Sequence, residues 1–538
     1  MSERTGKQDE PGLGRRGFVA GAAVVAGAAF TGTASAAPGA RAVARGASKA
    51  GDTDTDTDTD TAIAFTHVTV IDGSGAAPAH DMTVVVEAGQ ITALAPSART
   101  RLRPGVRTVD LTGKYLIPGL IEAHTHSDGP DAVVPPLYPL AGVTTVREMQ
   151  GAPVHHRWRR EIRSGTLLGP RWLIGSPIID GAPSLWAQDV PNHISVRDAA
   201  EARRVVRRVK KEGADFVKVY SRLSREAYWA ITQEARRQNI PHLGHCPDLV
   251  RITEAADAGQ RSIEHLHALL LSTSAHEAEV RRGLAAVRID PDDPSSLSRY
   301  HSWFQQVHPL EWRAVRGYDP RKADSVFRRL AAGGTAVVPT LSVHHTLELP
   351  DEVPDRAEDW KYLPAWQVES WPDQLQALIG GRTPEQARRI REIYAHRERL
   401  VRELHEAGVR LPAGTDTGTG YTVPGFALHD ELALLVEAGL TPMQVLTSAT
   451  QEAARLLGLD AVGTVAKGKA ADLLVLDADP LRDIRNTRKI HGVVVNGRWI
   501  DATEREALLA AVQKAASEAE PPQEGAAAVT GCGCGGHP

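Results

Sequence analysis

The chain has 538 residues, which at roughly 150 per domain would make three or four domains, although one (β/α)8 barrel with insertions also exceeds ~400. Its 62 Lys and Arg against 66 Asp and Glu leave a formal net charge of −4, so no basic excess marks a nucleic-acid binder and no acidic block dominates. Three cysteines, two of them among the last seven residues, exclude a disulfide framework, and the sequence has no apolar run of about 20 residues to make a polytopic membrane protein.

Residues 1–36 read as a signal peptide. Arg15-Arg16 precedes a Gly/Ala-rich apolar stretch that begins at Phe18, and Ala34-Ser35-Ala36 offers a small-residue cleavage site. An N-terminal helix would need an amphipathic period, which the stretch lacks. Export by the twin-arginine machinery is therefore expected, to the cell envelope or the extracellular space. No Cys follows the apolar stretch, so neither a lipid anchor nor stable membrane insertion after processing is expected. Residues 37–62, with their Asp-Thr repeat, read as a disordered acidic linker. A calcium loop there would lack its Gly and Glu.

From 63 to 115 the pattern is short, β-branched and period-2, with turns at Gly73-Ser74-Gly75 and Glu87-Ala88-Gly89. Strands of the same kind return over 461–503, where Asn496-Gly497 is a strong two-residue hairpin turn. The two ends are expected to build one small β-sandwich. Between them, over 116–460, strand and helix alternate. Strands are predicted at 142–146, 172–174, 216–219, 240–245, 262–265, 336–341 and 411–414, with helices at 197–212, 225–238, 249–258, 323–332, 384–407 and 428–438. Such alternation calls for a parallel sheet with crossover helices, and eight units close an α/β barrel of the TIM type with its active groups at the strands' C-terminal ends. Two connections, 269–322 and 344–383, are too long to be plain; the second carries Trp360, Trp366 and Trp371 and is expected to act as a lid that selects substrate. Surface decoration is the alternative. The tail over 504–538, helical and then disordered, is expected to be dispensable. Its Cys532, Cys534 and His537 read as incidental, since nothing fixes their geometry.

His124-Thr125-His126 stands at a strand end, where the period of two aims both imidazoles to one face. Lys218, His245, His265 and Asp416 fall where other barrel strands should end. Lys218 lies among Phe216, Val217 and Val219, and a lysine in an apolar strand is costly unless it is paired or chemically changed. It either snorkels, pairs with Asp416, or is carboxylated by CO₂ into an anionic ligand that bridges two divalent ions.

These residues, together with Ile263-Glu264-His265, Ala413-Gly414-Thr415-Asp416, Leu440-Thr441-Pro442-Met443, Ala449-Thr450 and Lys467-Gly468-Lys469-Ala470-Ala471-Asp472, resemble the amidohydrolase superfamily, in its imidazolonepropionase-like and Xaa-Pro dipeptidase-like branch. The likeness runs from about Phe65 to Asp501, with gaps over the two long connections. It implies that His124 and His126 bind the more buried ion, that Lys218 is the bridging carboxylated lysine, and that His245 and His265 bind the second ion. Asp416 is implied to bind metal and shuttle the proton. Two divalent ions, with zinc as the expected metal, would supply a bridging hydroxide. Tyr220, on the same face as Lys218, is a candidate donor to the developing oxyanion, or else part of a packing ring. His242 falls three residues too early and reads as structural; His344 and His345 follow the seventh strand and are candidates for touching substrate.

The expected function is cleavage of a C–N bond in a small molecule or short peptide, as in an Xaa-Pro dipeptidase or an N-acyl amino acid hydrolase. No nucleic-acid partner is expected, and homo-oligomerisation is left open. A mononuclear deaminase or imidazolonepropionase is the second reading, opposed by Lys218 and by the lack of a His-x-x-Glu at the fifth strand. A non-catalytic exported binding protein is the third, opposed by the presence of all six candidate ligands.

Overall fold

The computed structural model describes residues 62–521. The leader, the acidic linker and the Cys532–Cys534 tail lie outside them.

The two ends of the described chain meet in one eight-stranded sheet. Ile63–Val70 pairs antiparallel with Ala79–Glu87, which pairs with Gln90–Pro96; on its other side Tyr115–Pro118 leads to Leu473–Leu476, Ile490–Val495 and Arg498–Asp501. Both tight hairpins are fixed by their turn residues. Ala88-Gly89 has φ of 48° and 71°, and Asn496-Gly497 has 50° and 80°, the paired positive values that match the twist of the flanking strands. Hydrogen bonding runs through the sheet without a break, yet its ends touch. Phe65 and Trp499 sit four strands apart along the sheet, about 19 Å if it were flat at ~4.8 Å per strand, but their rings are 4.9 Å apart and edge-on. The sheet therefore curls over on itself as a sandwich, around Val68, Val84, Leu116, Leu473 and Val494.

The barrel strands run in order. Leu120–Thr125, Val143–Glu148 and Arg171–Ile174 pair in parallel, as do Val217–Val219, His242–Gly244, Ser262–Glu264 and Ala336–Val338. Two backbone hydrogen bonds join the groups, Asp215 N donating to Ile174 O at 2.8 Å and Ser176 N to Phe216 O at 2.9 Å. Extended residues 411–416 supply the eighth position: Val337 N donates to Arg410 O at 3.0 Å, and Ala123 N to Ala413 O at 2.9 Å, which closes the ring onto the first strand. Crossover helices Ala199–Lys211, Arg225–Arg237, Ile252–Asp257, Pro320–Gly333, Pro384–Glu406 and Phe426–Glu437 intervene. Most start where a cap demands it: Asp198, Ser224, Asp319 and Thr383 each accept a first-turn amide.

Three features differ from expectation. The seventh strand ends at Val338 rather than running to 341, because Thr340 turns the chain with φ 50° and Leu341–Glu348 is a helix. Two short strands, Ile178–Gly181 and His193–Val196, extend the sheet beside the fourth strand. The long connections are helical: Glu277–Ala286 and Ser296–Arg316 fill much of the first, and Ala357–Trp360 and Ala365–Ile379 the second. No helix among the described residues is long and apolar enough to cross a membrane.

Candidate metal centre

His124 and His126 leave the first strand on one face, and Asp416 arrives from the eighth. Both imidazole Nε2 atoms lie 3.1 Å from Asp416 Oδ1. Asp416 Oδ1 and His126 Nε2 are buried with no hydrogen bond among the described residues. Close approach without hydrogen-bond geometry is what ligand atoms show when a cation lies between them. The edge of a tetrahedron with metal–ligand bonds of 2.0–2.1 Å is about 3.3 Å. His124, His126 and Asp416 thus form a compact group whose ligand atoms all fall within 4.8 Å of one another.

The other candidates stand around this group. His265 Nε2 is 4.0 Å from Asp416 Oδ2, its ring is 5.0 Å from that of His124, and the His245 ring lies 4.7 Å beyond it. Lys218 Nζ, fully buried, is 3.5 Å from His124 Nε2. His245 Nε2 is a further buried nitrogen with no hydrogen bond among the described residues. All six predicted ligands therefore converge at the C-terminal end of the barrel, and the imidazoles and carboxylate among them suit a divalent ion.

The ligands are held ready. Thr340 Oγ1 donates to Pro339 O at 2.8 Å, so its only proton is spent and it accepts from His265 Nδ1 at 2.6 Å; His265 Nε2 is left with its lone pair facing the site. Ser221 Oγ holds His245 Nδ1 at 2.7 Å. Burial, opposed but not overcome by Asp416, brings His126 down to about 4, and burial carries His245 and His265 well below their ordinary value. Neutral imidazole is the form that binds metal. Burial pushes the Asp416 carboxyl up, but His124, His126 and His265 outweigh it and keep it well below its ordinary value. His265 and Asp416 adopt positive φ, 64° and 62°, which few non-glycine residues do outside constrained sites.

A charged lattice beneath the ligands escaped the sequence reading. Glu264 Oε2 accepts from His124 Nδ1 and from Arg147 Nη2, both at 2.8 Å, while Arg147 also reaches Ser262 Oγ at 2.9 Å and the Ala123 carbonyl. Glu122 Oε1 accepts the amides of His124 and Thr415 at 3.0 and 2.9 Å, pinning the first strand to the eighth. Arg147 was open to discovery by the argument applied to Lys218: it is a cation following Val143–Val146 in a buried strand.

Above the ligands lies a chamber of about 620 Å³, lined among others by Tyr220, His245, His265, Trp303, His344 and Asp416. The Tyr220 ring sits 3.9 Å from the His245 ring and its hydroxyl meets that of Tyr300, so it borders the site and also belongs to a packing ring. His344 lines the chamber with its ring 5.9 Å from that of His265, whereas His345 turns away onto Tyr394 at 5.7 Å. His242 is buried near Tyr228 and is not among the chamber's lining residues. Of the second long connection, His344, Leu347 and Glu348 line the chamber. Trp360 and Trp371 pack on Tyr421 at 5.9 and 5.3 Å, supporting the loop after Asp416, and none of Trp360, Trp366 and Trp371 lines the chamber.

One wall of the chamber comes from helices Ser296–Arg316 and Leu341–Glu348. Arg397, fully buried, binds Glu348 at 2.8 Å and Glu311 at 3.4 Å, and Glu311 also accepts from His267 Nδ1 at 2.5 Å. The cluster ties both helices to helix Pro384–Glu406.

Comparison with known proteins agrees with this geometry. Residues 379–500 match the amidohydrolase family. The chain is 40% identical over 87 residues to an imidazolonepropionase of Deinococcus deserti, covering 16% of this chain and 22% of that one. It is 41% identical over 80 residues to an N-acyl-D-aspartate deacylase of Alcaligenes xylosoxydans xylosoxydans, covering 14% and 15%. The matches thus span about a fifth of these curated relatives. Among solved structures, a bottromycin amidohydrolase superposes with a TM-score of 0.64 at 25% identity, over 84% of this chain and 90% of its own. A Bifidobacterium longum protein assigned as a prolidase gives 0.57 at 27%, over 84% and 99%. The family match contains Asp416 but not His124, His126, Lys218, His245 or His265, which the fold brings to the same place. Residues 379–500 thus match the amidohydrolase family, and the motifs and fold of the rest of the described chain resemble the solved amidohydrolases and prolidases.

Proposed function

We propose that the protein is a metal-dependent hydrolase that cleaves the C–N bond of an amide or peptide-like substrate. The supporting observation is the convergence of His124, His126, Lys218, His245, His265 and Asp416 beneath one chamber. In this reading those six residues would hold two divalent ions, with zinc as the expected metal, and Lys218 would be carboxylated to serve as an anionic ligand. Such ions polarise a carbonyl and lower the pKa of water towards neutrality. The chain's own groups do the rest. Asp416, kept ionised, accepts the proton of the attacking water and returns it to the leaving nitrogen. Tyr220 donates to the oxygen of the substrate carbonyl as negative charge develops there. Trp303 and the helix Leu341–Glu348 wall the chamber and limit water. Relatives designated N-acyl-D-aspartate deacylase and prolidase favour N-acyl amino acids and short peptides as substrates.

A one-ion site has its own support, since among the described residues only His124, His126 and Asp416 converge closely enough to form a single ligand group. Metal content after dialysis separates the readings: two ions per chain are expected, and one would favour a cyclic-amide hydrolase. Turnover should be sought on N-acyl amino acids, dipeptides and cyclic amides, and chelation should abolish it until metal is restored. A fully metallated protein silent on all three classes would sink the hydrolase reading in favour of a binding role.

Export belongs to the same proposal and rests on Arg15-Arg16, the apolar stretch and Ala34-Ser35-Ala36. Replacing both arginines by lysine should hold active precursor in the cytoplasm. Unimpaired export of that variant would reject the twin-arginine route.

A further inference from the structure

A second cavity adjoins the chamber, with about 450 Å³ of space between the two long connections. Phe304 and His308 line both spaces, and their rings stack at 4.9 Å with an angle of 13°, so a single aromatic pair partitions them. Beyond the partition Leu378, Ile379 and Ile390 give apolar wall, while Gln305 and Gln386, 3.5 Å apart, and Arg389 also line the space. Arg382 also lines this cavity. Its Nη1 donates to Leu347 O at 2.7 Å, but its Nη2 is buried and has no hydrogen-bond partner among the described residues. Glu348, the nearest carboxylate influence, is already committed to Arg397 at 2.8 and 2.9 Å and cannot fully compensate it. Burial accordingly pushes the Arg382 guanidinium down to about 10, only partly opposed by Glu348. A buried guanidinium nitrogen left with an unmet donor is costly unless an anion completes it.

Away from the metal ligands the chamber offers no such group, because no arginine or lysine is among its described lining residues and Glu348 is one of them. A carboxylate on the substrate would find its counter-charge past Phe304 and His308. Burial holds His308 at about 4 and therefore neutral, so the positive charge there is supplied by arginine. Arg389, the other arginine of the cavity, is occupied by Glu385 at 2.9 Å and stacked over Trp312 at 4.4 Å.

We propose that this cavity is a distal subsite that binds the carboxylate-terminated apolar end of an elongated substrate, with Arg382 as the specificity-determining residue. The proposal rests on the hydrolase reading for its connection to catalysis, since the amide to be cleaved would lie in the chamber. Binding at the subsite is measurable without turnover. The probes are 4-phenylbutyrate and its uncharged amide, 4-phenylbutyramide, titrated calorimetrically into the metal-loaded full chain, the chelated chain, and R382Q.

The carboxylate should bind at least tenfold tighter than the amide. The preference should survive chelation and vanish in R382Q, while the weak affinity for the amide stays unchanged because the apolar walls remain. Equal affinity of the two probes, or no binding of either, would overturn the subsite. So would a preference that disappears on chelation and ignores R382Q, because the carboxylate would then be sitting on the metals. A second arm compares kcat/KM for N-acyl amino acids whose remote end is a carboxylate or a carboxamide: R382Q should lower the ratio about tenfold. Turnover with no discrimination defeats the subsite and spares the hydrolase reading. Carboxylate discrimination in binding with no turnover of any substrate does the reverse.

Discussion

Lys218→Ala is expected to hold fewer metal ions and to lose at least about 10²–10³-fold in turnover, the scale of removing one electrostatic element from an active site. The side chain is fully buried between Val217 and Val219, and its nitrogen lies 3.5 Å from His124 Nε2, inside the ligand group. An ammonium there would repel every ion the imidazoles attract. Two unit charges 4 Å apart interact by about 4 kcal/mol at an effective dielectric of 20, and a dication doubles that. Carboxylation replaces +1 by −1, so repulsion becomes attraction of similar size. Only the neutral amine reacts with CO₂, and burial beside cations favours that form. Short-chain carboxylic acids, entering the space left by the alanine variant, should restore part of the activity. Lys218→Arg should fail too, since a guanidinium stays charged and cannot carry CO₂. Metal analysis with turnover of both variants decides the matter: an arginine variant with two ions and normal rates would end the bridging-carbamate mechanism.

Much of this site was legible because local rules place it. The period of two sets His124 and His126 on one face, and a lysine in Phe216–Val219 is anomalous wherever it occurs. Paired positive-φ residues at Ala88-Gly89 and Asn496-Gly497 mark hairpins without any tertiary knowledge. What remained hidden depends on contacts between distant segments. Glu264 precedes a recognised ligand, but its tie to Arg147 spans 117 residues and no sequence period records it. Thr340 ends the seventh strand early by a backbone rotation that its sequence does not announce, and that rotation sets His344 towards the chamber and His345 away from it. Which face the tryptophans of the second connection would cover was likewise hidden: Trp360 and Trp371 pack on Tyr421 in the loop after Asp416, a contact between distant segments.

Glu264→Gln is expected to weaken metal binding by about 10–100-fold, the usual consequence of removing the partner that orients a ligating histidine. Glu264 Oε2 fixes the His124 Nδ1 proton at 2.8 Å, which turns Nε2 and its lone pair to the ion. The same oxygen neutralises Arg147, which is fully buried. Glutamine keeps the volume and one acceptor but removes the charge, so Arg147 is left as an uncompensated cation in the barrel core. Breaking a buried pair in this way costs about 3–5 kcal/mol, so the midpoint of chemical denaturation should fall together with metal affinity. The pH dependence has a definite sign. Burial raises the Glu264 carboxyl, but Arg147 and His124 outweigh it and bring it from 4.5 to about 2. A depressed carboxyl contributes stability that is complete above its unfolded pKa of about 4.3. That contribution fades as pH falls through the folded value near 2, and the glutamine variant should lack it. Glu264→Asp, which keeps the charge on a shorter arm, should retain more of both properties than Glu264→Gln. Competition with a chromophoric chelator gives the affinity, and excess metal should restore turnover to the glutamine variant if His124 still reaches the ion. A glutamine variant with unchanged affinity and unchanged stability would show that His124 is oriented without Glu264.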